Sequence, residues 1–310
     1  MYNKYTVKYA GICGSDINKA RDNSFIENDI LKFGHEIVCK SDSGDLFVVN
    51  PFVCDSKCST CNQKSFMFCD NVTRLGAGNA EGGYSGKVNI KSENLYKIPK
   101  TSHPEIGVFC DGIAVVFHGL HMIQLQSNQR LAIIGAGSIG VLFAVIIKEK
   151  FPHLTIDLFY KSKQKKDYLQ ELFGNTFSYH EISKMNMCRN CYDVVIEAVG
   201  GKQTDTIDYS IDIVKNSGSI LIFGAFNDEC KTINRLRQLF YKQIKLIGIN
   251  SFCKECDDFQ RAVNWAFSHE RLLSSLITDF YVVCRNRIDA KKIYQSVLAH
   301  KLLKGCIVYE

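Results

Sequence analysis

The stretch LAIIGAGSIG, Leu131–Gly140, decides the fold of this chain. Four apolar residues precede a G-x-G-x-x-G pattern, and an apolar segment follows it. Its candidate ligand-binding residues are Gly135, Gly137, Ser138, Ile139 and Gly140. Between a strand and a helix, this pattern predicts a dinucleotide site: the first glycine permits a tight turn, the second admits a pyrophosphate, and the third lets the helix pack closely. An ordinary glycine turn is the alternative.

Strands and helices alternate on both sides of this loop. Residues 131–147 lack charges, but the glycines interrupt them, so they indicate a buried strand and helix rather than a membrane span. Further apolar strands are predicted at TIDLFY, DVVIEAVG, SILIFGAF and IKLIGIN, with helices at KKDYLQELFG and IDYSIDIVKN. This alternation predicts an α/β domain with a doubly wound parallel sheet over residues 113–250.

The residues after TIDLFY indicate which dinucleotide is bound. An NAD site usually has a carboxylate there that binds the ribose hydroxyls. This chain instead has Lys161, Ser162 and Lys163, and its nearest acid, Asp157, lies inside the strand. Cations would attract the 2′-phosphate of NADP, so the sequence favours NADP(H) over NAD(H). A solvated basic loop is the alternative.

The composition is that of a globular protein. The chain has 310 residues, 46% of them hydrophobic and 23% charged, with a net charge of +6 spread along it. These values argue against a disordered chain, a nucleic-acid-binding protein and a membrane-spanning segment. The first residues do not resemble a signal peptide, so we expect a cytoplasmic protein with reduced thiols. The 14 cysteines then suggest metal binding.

Residues 1–112 contain mainly extended patterns, among them YTVKYAGIC, DLFVVNPFV and GGYSGKVNI. We interpret this segment as mostly β. Residues 251–310 contain the helical stretches FQRAVNWAFSHERLLSS and AKKIYQSVLAHK and then a strand, GCIVYE.

Two sets of residues could hold metal ions. The first is Cys54, Cys58, Cys61 and Cys69. Four thiolates can enclose one tetrahedral zinc with no open position, which predicts a structural site; four unligated thiols are the alternative. The second set is Cys13, His35 with Glu36, and Asp111. Scattered ligands are typical of a catalytic zinc, but each residue alone is more often a packed side chain.

Together these motifs resemble those of the zinc-dependent alcohol dehydrogenases of the medium-chain dehydrogenase/reductase superfamily. GICGSD, GHE, the cysteine set and the glycine loop occur in the family's order. DGIAVVFH is similar to a segment of the polyol dehydrogenase branch, and DVVIEAVG to another family strand. The resemblance implies a β-rich GroES-like catalytic domain, formed by residues 1–112 and 251–310, and a Rossmann cofactor domain at 113–250.

The resemblance also implies roles for individual residues. Cys13, His35 and Asp111 match catalytic zinc ligands, and Glu36 would lie close to the metal. Ser15 matches the hydroxyl that passes the alcohol proton, and Asp16 the carboxylate that orients the histidine. Cys54, Cys58, Cys61 and Cys69 match the structural site. We therefore expect two Zn²⁺ ions per chain.

The chain departs from the family pattern at four places. Cys54 and Cys58 have one residue more between them than is usual, and Asp111 replaces a longer glutamate. Asn18 stands where many relatives have a proton-relay histidine. The sequence also begins late, which predicts either an upstream start or a reduced β domain.

The implied reaction is hydride transfer between NADP(H) and a secondary alcohol or ketone of a small polyol, sugar or polyol phosphate. FPHLTIDLFYKSK and INRLRQLFYKQIKLIG loosely resemble ribulose-5-phosphate reductases, and an NADP site favours the reductive direction. An NAD-dependent polyol or simple alcohol dehydrogenase, and a non-catalytic shortened relative, are the alternatives.

Two further expectations concern assembly and the remaining cysteines. Family members are homodimers or homotetramers, usually joined through edges of the cofactor-domain sheet. Ser219–Phe226 is our candidate edge strand, and a central position for this apolar strand is the alternative. Cys188 with Cys191, and Cys253 with Cys256, have metal-like spacing, but we expect reduced thiols at these positions.

Overall fold

The computed structural model describes residues 2–22, 27–54, 68–203, 205–226, 233–253 and 256–310. The chain divides into two compact units. The first comprises Met1–Phe117 and Ser251–Glu310, and the second comprises His118–Asn250. No helix among the described residues is both long and apolar enough to cross a membrane.

The first unit starts with a long strand around which shorter strands assemble. The elements up to residue 121 are β1 (Tyr2–Ile12), α1 (Gly14–Arg21), β2 (Ile37–Lys40), β3 (Leu46–Val49), β4 (Phe52–Cys54), β5 (Val72–Arg74), β6 (Lys87–Lys91), β7 (Leu95–Lys97) and α2 (Cys110–His121). DLFVVNPFV forms two strands rather than one, because β3 pairs with β7 whereas β4 pairs with β5. At the break, the Asn50 side chain accepts a hydrogen bond from the Phe52 N–H.

The second unit contains the α/β pattern. Its elements are β8 (Arg130–Ile134), α3 (Ser138–Lys150), β9 (Thr155–Tyr160), α4 (Lys163–Phe173), β10 (Ser178–Glu181), β11 (Tyr192–Glu197), α5 (Asp205–Ile213), β12 (Val214–Ile222), α6 (Leu236–Tyr241) and β13 (Lys245–Gly248). These strands form one parallel sheet in the order β10-β9-β8-β11-β12-β13. The predicted parallel sheet is therefore confirmed. Its strand order reverses between β8 and β11, where such sheets bind ligands.

The last segment returns to the first unit. Its elements are α7 (Asp258–Ser268), α8 (Glu270–Leu276), β14 (Ile277–Val283), α9 (Ala290–Ala299) and β15 (Lys304–Tyr309). β15 pairs with β1 antiparallel and with β14 parallel. The resulting sheet has the order β14-β15-β1-β2-β3-β7, and β6 also pairs with β1. The first and last parts of the chain therefore share one sheet and one core, which includes Val7, Ile37 and Ile307.

Two predictions are wrong. Ser219–Phe226 does not form an edge, because β12 lies between β11 and β13 in the described sheet. An apolar sequence shows that the faces of a strand are buried and does not distinguish an edge strand from a central one, and β13 is the edge strand of the described sheet. Cys188 and Cys191 are not reduced thiols but form a disulfide.

Candidate active site

Three potential metal ligands come together in the first unit. The Cys13 thiol, a His35 ring nitrogen and a Glu36 carboxylate oxygen all lie within 4.8 Å of one another. Strand pairing brings them together: Cys13 directly follows β1, His35 and Glu36 directly precede β2, and these strands are antiparallel neighbours. The backbone N–H of Gly11 also donates to the Glu36 carbonyl, at 2.8 Å. A side chain at position 11 would collide with the Glu36 carboxylate, which explains why the residue two positions before Cys13 is a glycine.

Asp111 and Asp16 face opposite nitrogens of the His35 ring. Asp111 Oδ2 lies 3.6 Å from His35 Nε2, and Asp16 Oδ1 lies 3.8 Å from His35 Nδ1. All three side chains are buried. This arrangement leaves one nitrogen for a metal and gives the other a carboxylate that would orient the ring.

Asp111 provides a test of whether a metal fits this site. Its Oδ1 is buried and has no hydrogen-bond partner among the described residues. A buried carboxylate oxygen without a partner is costly unless a cation or donor satisfies it. The cluster within 4.8 Å contains Glu36 rather than Asp111, and Asp111 approaches it through His35 Nε2, at 3.6 Å. The chemistry of Cys13, His35 and one of these carboxylates is that of a catalytic zinc set. The residues present therefore fit the metal.

Charges around His35 change its protonation. Burial and the positive charge of Arg74 lower the pKa of His35, but the neighbouring Cys13 and Asp16 outweigh them and raise it to about 9. A metal ligand must be the neutral imidazole, so metal binding here would displace a proton.

Tyr84 holds Asp16 in place. Its hydroxyl lies 2.9 Å from Asp16 Oδ2 and 3.1 Å from the Gly11 carbonyl, and the side chain is fully buried. Burial and the neighbouring Asp16 raise the pKa of Tyr84 well above its ordinary value, so the hydroxyl keeps its proton for donation. Sequence reasoning missed this residue; its only signal was its place between the glycines of GGYSG.

Lys304 was also missed. Its Nζ donates to both oxygens of Glu36, each at 2.7 Å, and both side chains are buried. Burial lowers the pKa of Lys304, but the charges of Glu36 and Cys13 outweigh this effect and raise it. The lysine therefore stays charged, fixes the carboxylate beside the potential metal ligands, and balances its charge.

The structure describes half of the cysteine set. The sulfurs of Cys54 and Cys69 lie 3.5 Å apart. Two thiolates on one tetrahedral zinc stand about 3.8 Å apart, given zinc–sulfur bonds of about 2.3 Å. Cys58 and Cys61 lie outside the described residues. The described pair fits a shared zinc.

The glycine loop of the second unit has the geometry expected of a phosphate site. Gly135 adopts a φ of +111°, in which a side chain would be strained. A side chain at Gly140 would collide with the Gly135 carbonyl, so a glycine is required for this close packing. Gly137 precedes α3, and apart from its chain neighbours no heavy atom of the described residues lies within 4 Å of its Cβ position. Space and backbone N–H groups are thus available at the start of this helix.

The basic loop follows β9 as predicted. Lys161 and Lys163 are exposed, and Ser162 caps α4 by accepting a hydrogen bond from the Lys165 N–H. Asp157 is engaged inside the unit: its carboxylate accepts from Arg130 and Tyr192, both at 2.8 Å.

Glu197 shapes the neighbouring loop. Its buried carboxylate accepts hydrogen bonds from the Val199 and Gly200 N–H groups and from the Thr206 hydroxyl. This loop lies against the glycine loop, since the Ala198 carbonyl is 2.9 Å from where a Gly135 side chain would begin. Glu197 therefore helps to hold the loop beside Gly135.

Similarities to known proteins agree with this geometry. Residues 5–100 match the alcohol dehydrogenase GroES-like domain. D-arabinitol dehydrogenase 1 of Uromyces fabae is 22% identical over 97% of this chain and 87% of its own length. A Sinorhizobium meliloti 1021 structure, described as that of a zinc-binding dehydrogenase bound to NADP, has a TM-score of 0.80 and 18% identity over 99% of this chain and 92% of its own.

The structure of galactitol-1-phosphate dehydrogenase from Escherichia coli is similarly related, with a TM-score of 0.78 and 18% identity over 99% of this chain and 92% of its own. At such identities the solved structures establish the fold. Residues 5–100 match one domain of the alcohol dehydrogenases, and the chain as a whole is similar to zinc-type alcohol and polyol dehydrogenases.

Proposed function

We propose that this protein is an oxidoreductase that interconverts a secondary alcohol and a ketone of a polyol, a sugar or a polyol phosphate, with NADP(H) as cofactor. The buried cluster around His35, with the unpartnered oxygen of Asp111, supports the proposal most directly. When bound, zinc would supply Lewis-acid polarisation of the substrate oxygen, and the nicotinamide would accept or donate the hydride.

The protein's own residues would position these groups and move the proton. Cys13, His35 and Asp111 would hold the metal, with Asp16 orienting the histidine ring. Ser15, half-buried in the first turn of α1, would pass the alcohol proton away from the substrate oxygen. Lys304 would keep Glu36 from closing over the position that the substrate needs, because both of its carboxylate oxygens are engaged.

The proposed preference for NADP(H) depends on the second unit. Lys161 and Lys163 are exposed where a 2′-phosphate would lie, and the nearest strand acid, Asp157, already has partners. The test is a panel of ketoses, polyols and their phosphates, assayed by nicotinamide absorbance with both cofactors. NADPH should support the higher kcat/KM; a tenfold preference for NADH would refute the assignment and favour the NAD-dependent alternative.

We further propose a homodimer or homotetramer, joined through the β13 edge of the parallel sheet. The preceding helix α6 exposes Leu236, Phe240 and Tyr241, at 62%, 74% and 69%. Exposed apolar residues beside an open sheet edge suit a second copy of the chain. Sedimentation velocity should show an oligomer that Phe240→Asp weakens; a monomer at micromolar concentration would contradict this proposal.

A further inference from the structure

Arg74 is a cation beside the candidate metal ligands that the proposed reaction does not use. It ends β5, directly opposite Phe52 of β4. Its guanidinium carbon lies 5.1 Å from the centre of the Phe52 ring, so the side chain is held by stacking as well as by the strand pair. About a third of the side chain, 32%, remains exposed. Arg74 therefore has both a defined position and access to a ligand.

The carboxylate of Asp111 connects the Arg74 guanidinium to the potential metal ligand His35. Arg74 Nη2 lies 3.5 Å from Asp111 Oδ2, the same oxygen that lies 3.6 Å from His35 Nε2. This separation is longer than the roughly 2.7–3.2 Å of an ordinary N–H···O hydrogen bond, so the contact is weak, and it uses one of five N–H donors. Arg74 Nε is buried and has no hydrogen-bond partner among the described residues. Among the described residues, the polar contact to Asp111 is thus the one that holds this guanidinium, and the exposed part of the side chain can reach a ligand.

Asp111 is the acid that contacts Arg74, and the proposed function gives it a second role. The acid Glu36 is already engaged by Lys304 through two short contacts. Arg74 would therefore share Asp111 with a divalent cation, and an anionic substrate group at its exposed part would add a charge partner that a neutral polyol lacks.

We infer that Arg74 recognises an anionic group on the substrate, so that the site selects a phosphorylated or carboxylated polyol or ketose over a neutral one. The inference rests on the proposed function for the identity of the site. A guanidinium matches phosphate and carboxylate because it presents two parallel N–H donors to two oxygens. Arg74 is in this respect a specificity-determining residue.

Three C6 compounds test the inference because they share a carbon chain and differ at one end: galactitol, galactitol 1-phosphate and galactonate. We expect kcat/KM for at least one anionic compound to exceed that for galactitol by tenfold or more. Arg74→Met should lower the anionic value by roughly 10- to 100-fold, as expected for loss of a charge-assisted hydrogen bond, and lower the galactitol value much less, so that the ratio of the two values falls. Arg74→Lys should give a kcat/KM for the anionic compounds between those of the parent protein and Arg74→Met. Arg287→Met, which removes an exposed arginine of the same unit, is the control.

Isothermal titration calorimetry with the same three compounds measures their affinities and tests the inference without requiring catalytic turnover. A parent protein that binds galactitol as tightly as both anions would overturn the inference, as would unchanged anion affinity in Arg74→Met and Arg74→Lys. The proposed function fails separately, if no polyol or ketose is turned over with either cofactor. Preference for phosphate over carboxylate, or the reverse, identifies the anionic group.

Discussion

The buried pair Lys304–Glu36 allows a quantitative prediction. Replacing Lys304 with methionine keeps most of the side-chain volume but leaves the carboxylate of Glu36 buried without its cation. Both side chains are almost fully buried, and the lysine contacts both carboxylate oxygens at 2.7 Å. Breaking such a pair costs about 3–5 kcal/mol, because the remaining charge has no compensation. We expect Lys304→Met to lower the free energy of unfolding of the first unit by that amount.

The chain provides its own probe for this measurement. Its single tryptophan, Trp265, lies in α7 of the first unit, so its fluorescence in urea reports the unfolding of that unit. This matters because a protein of two units need not unfold in one step. Lys301→Met, which removes an exposed lysine three residues away, is the matched control and should change the free energy by less than about 0.5 kcal/mol.

The double variant Lys304→Met with Glu36→Gln separates the charge from other effects. Removing both charges should recover much of the loss, since a buried pair replaced by uncharged groups is often nearly neutral. The pKa of Lys304 is raised above its ordinary value of 10.5. Its contribution should therefore be fully present between pH 7 and 9 and disappear only as the pH rises above that value. A loss below about 1 kcal/mol for Lys304→Met, or no recovery in the double variant, would refute the reasoning.

Three other predictions concern metal, cofactor and thiols. Elemental analysis should find two zinc ions per chain, one lost in Cys58→Ser and the other in His35→Ala; one zinc in the parent would contradict the catalytic site. Lys161→Asp should raise KM for NADPH about tenfold or more and leave KM for NADH unchanged, since only NADPH carries the 2′-phosphate; an equal loss for both cofactors would show that the loop does not select between them. Alkylation of the unfolded, unreduced protein followed by mass spectrometry should leave Cys188 and Cys191 unmodified; modification of both would mean that the disulfide is absent.

Matched variants control the first two measurements. Cys284→Ser removes an exposed cysteine that belongs to neither proposed zinc site and should leave the metal content unchanged. Lys150→Asp changes an exposed charge at the carboxyl end of α3, the end opposite the glycine loop, and should leave both KM values unchanged.

The sequence alone was enough to predict the parallel sheet of the second unit. TIDLFY coincides with β9, and the apolar runs that became β8 and β11 are covered on both sides, so hydrophobic runs and glycine spacing carry the information locally. Family motifs likewise pointed to Cys13, His35 and Glu36, which the structure brings together.

Other features were decided only by the tertiary structure. Lys304 and Glu36 are 268 positions apart, and Arg74 reaches Asp111 across 37 positions. These contacts arise because β15 pairs with β1 and because β5 folds back on β4, and no local pattern encodes such pairings. The same reason explains the wrong edge strand: an apolar run shows that the faces of a strand are buried, but its place at the edge or in the centre depends on the order of the whole sheet. The sequence by itself therefore determined the fold class and most potential ligands, whereas the charges that surround those ligands, and with them the selectivity proposed for the site, were decided by contacts between distant segments.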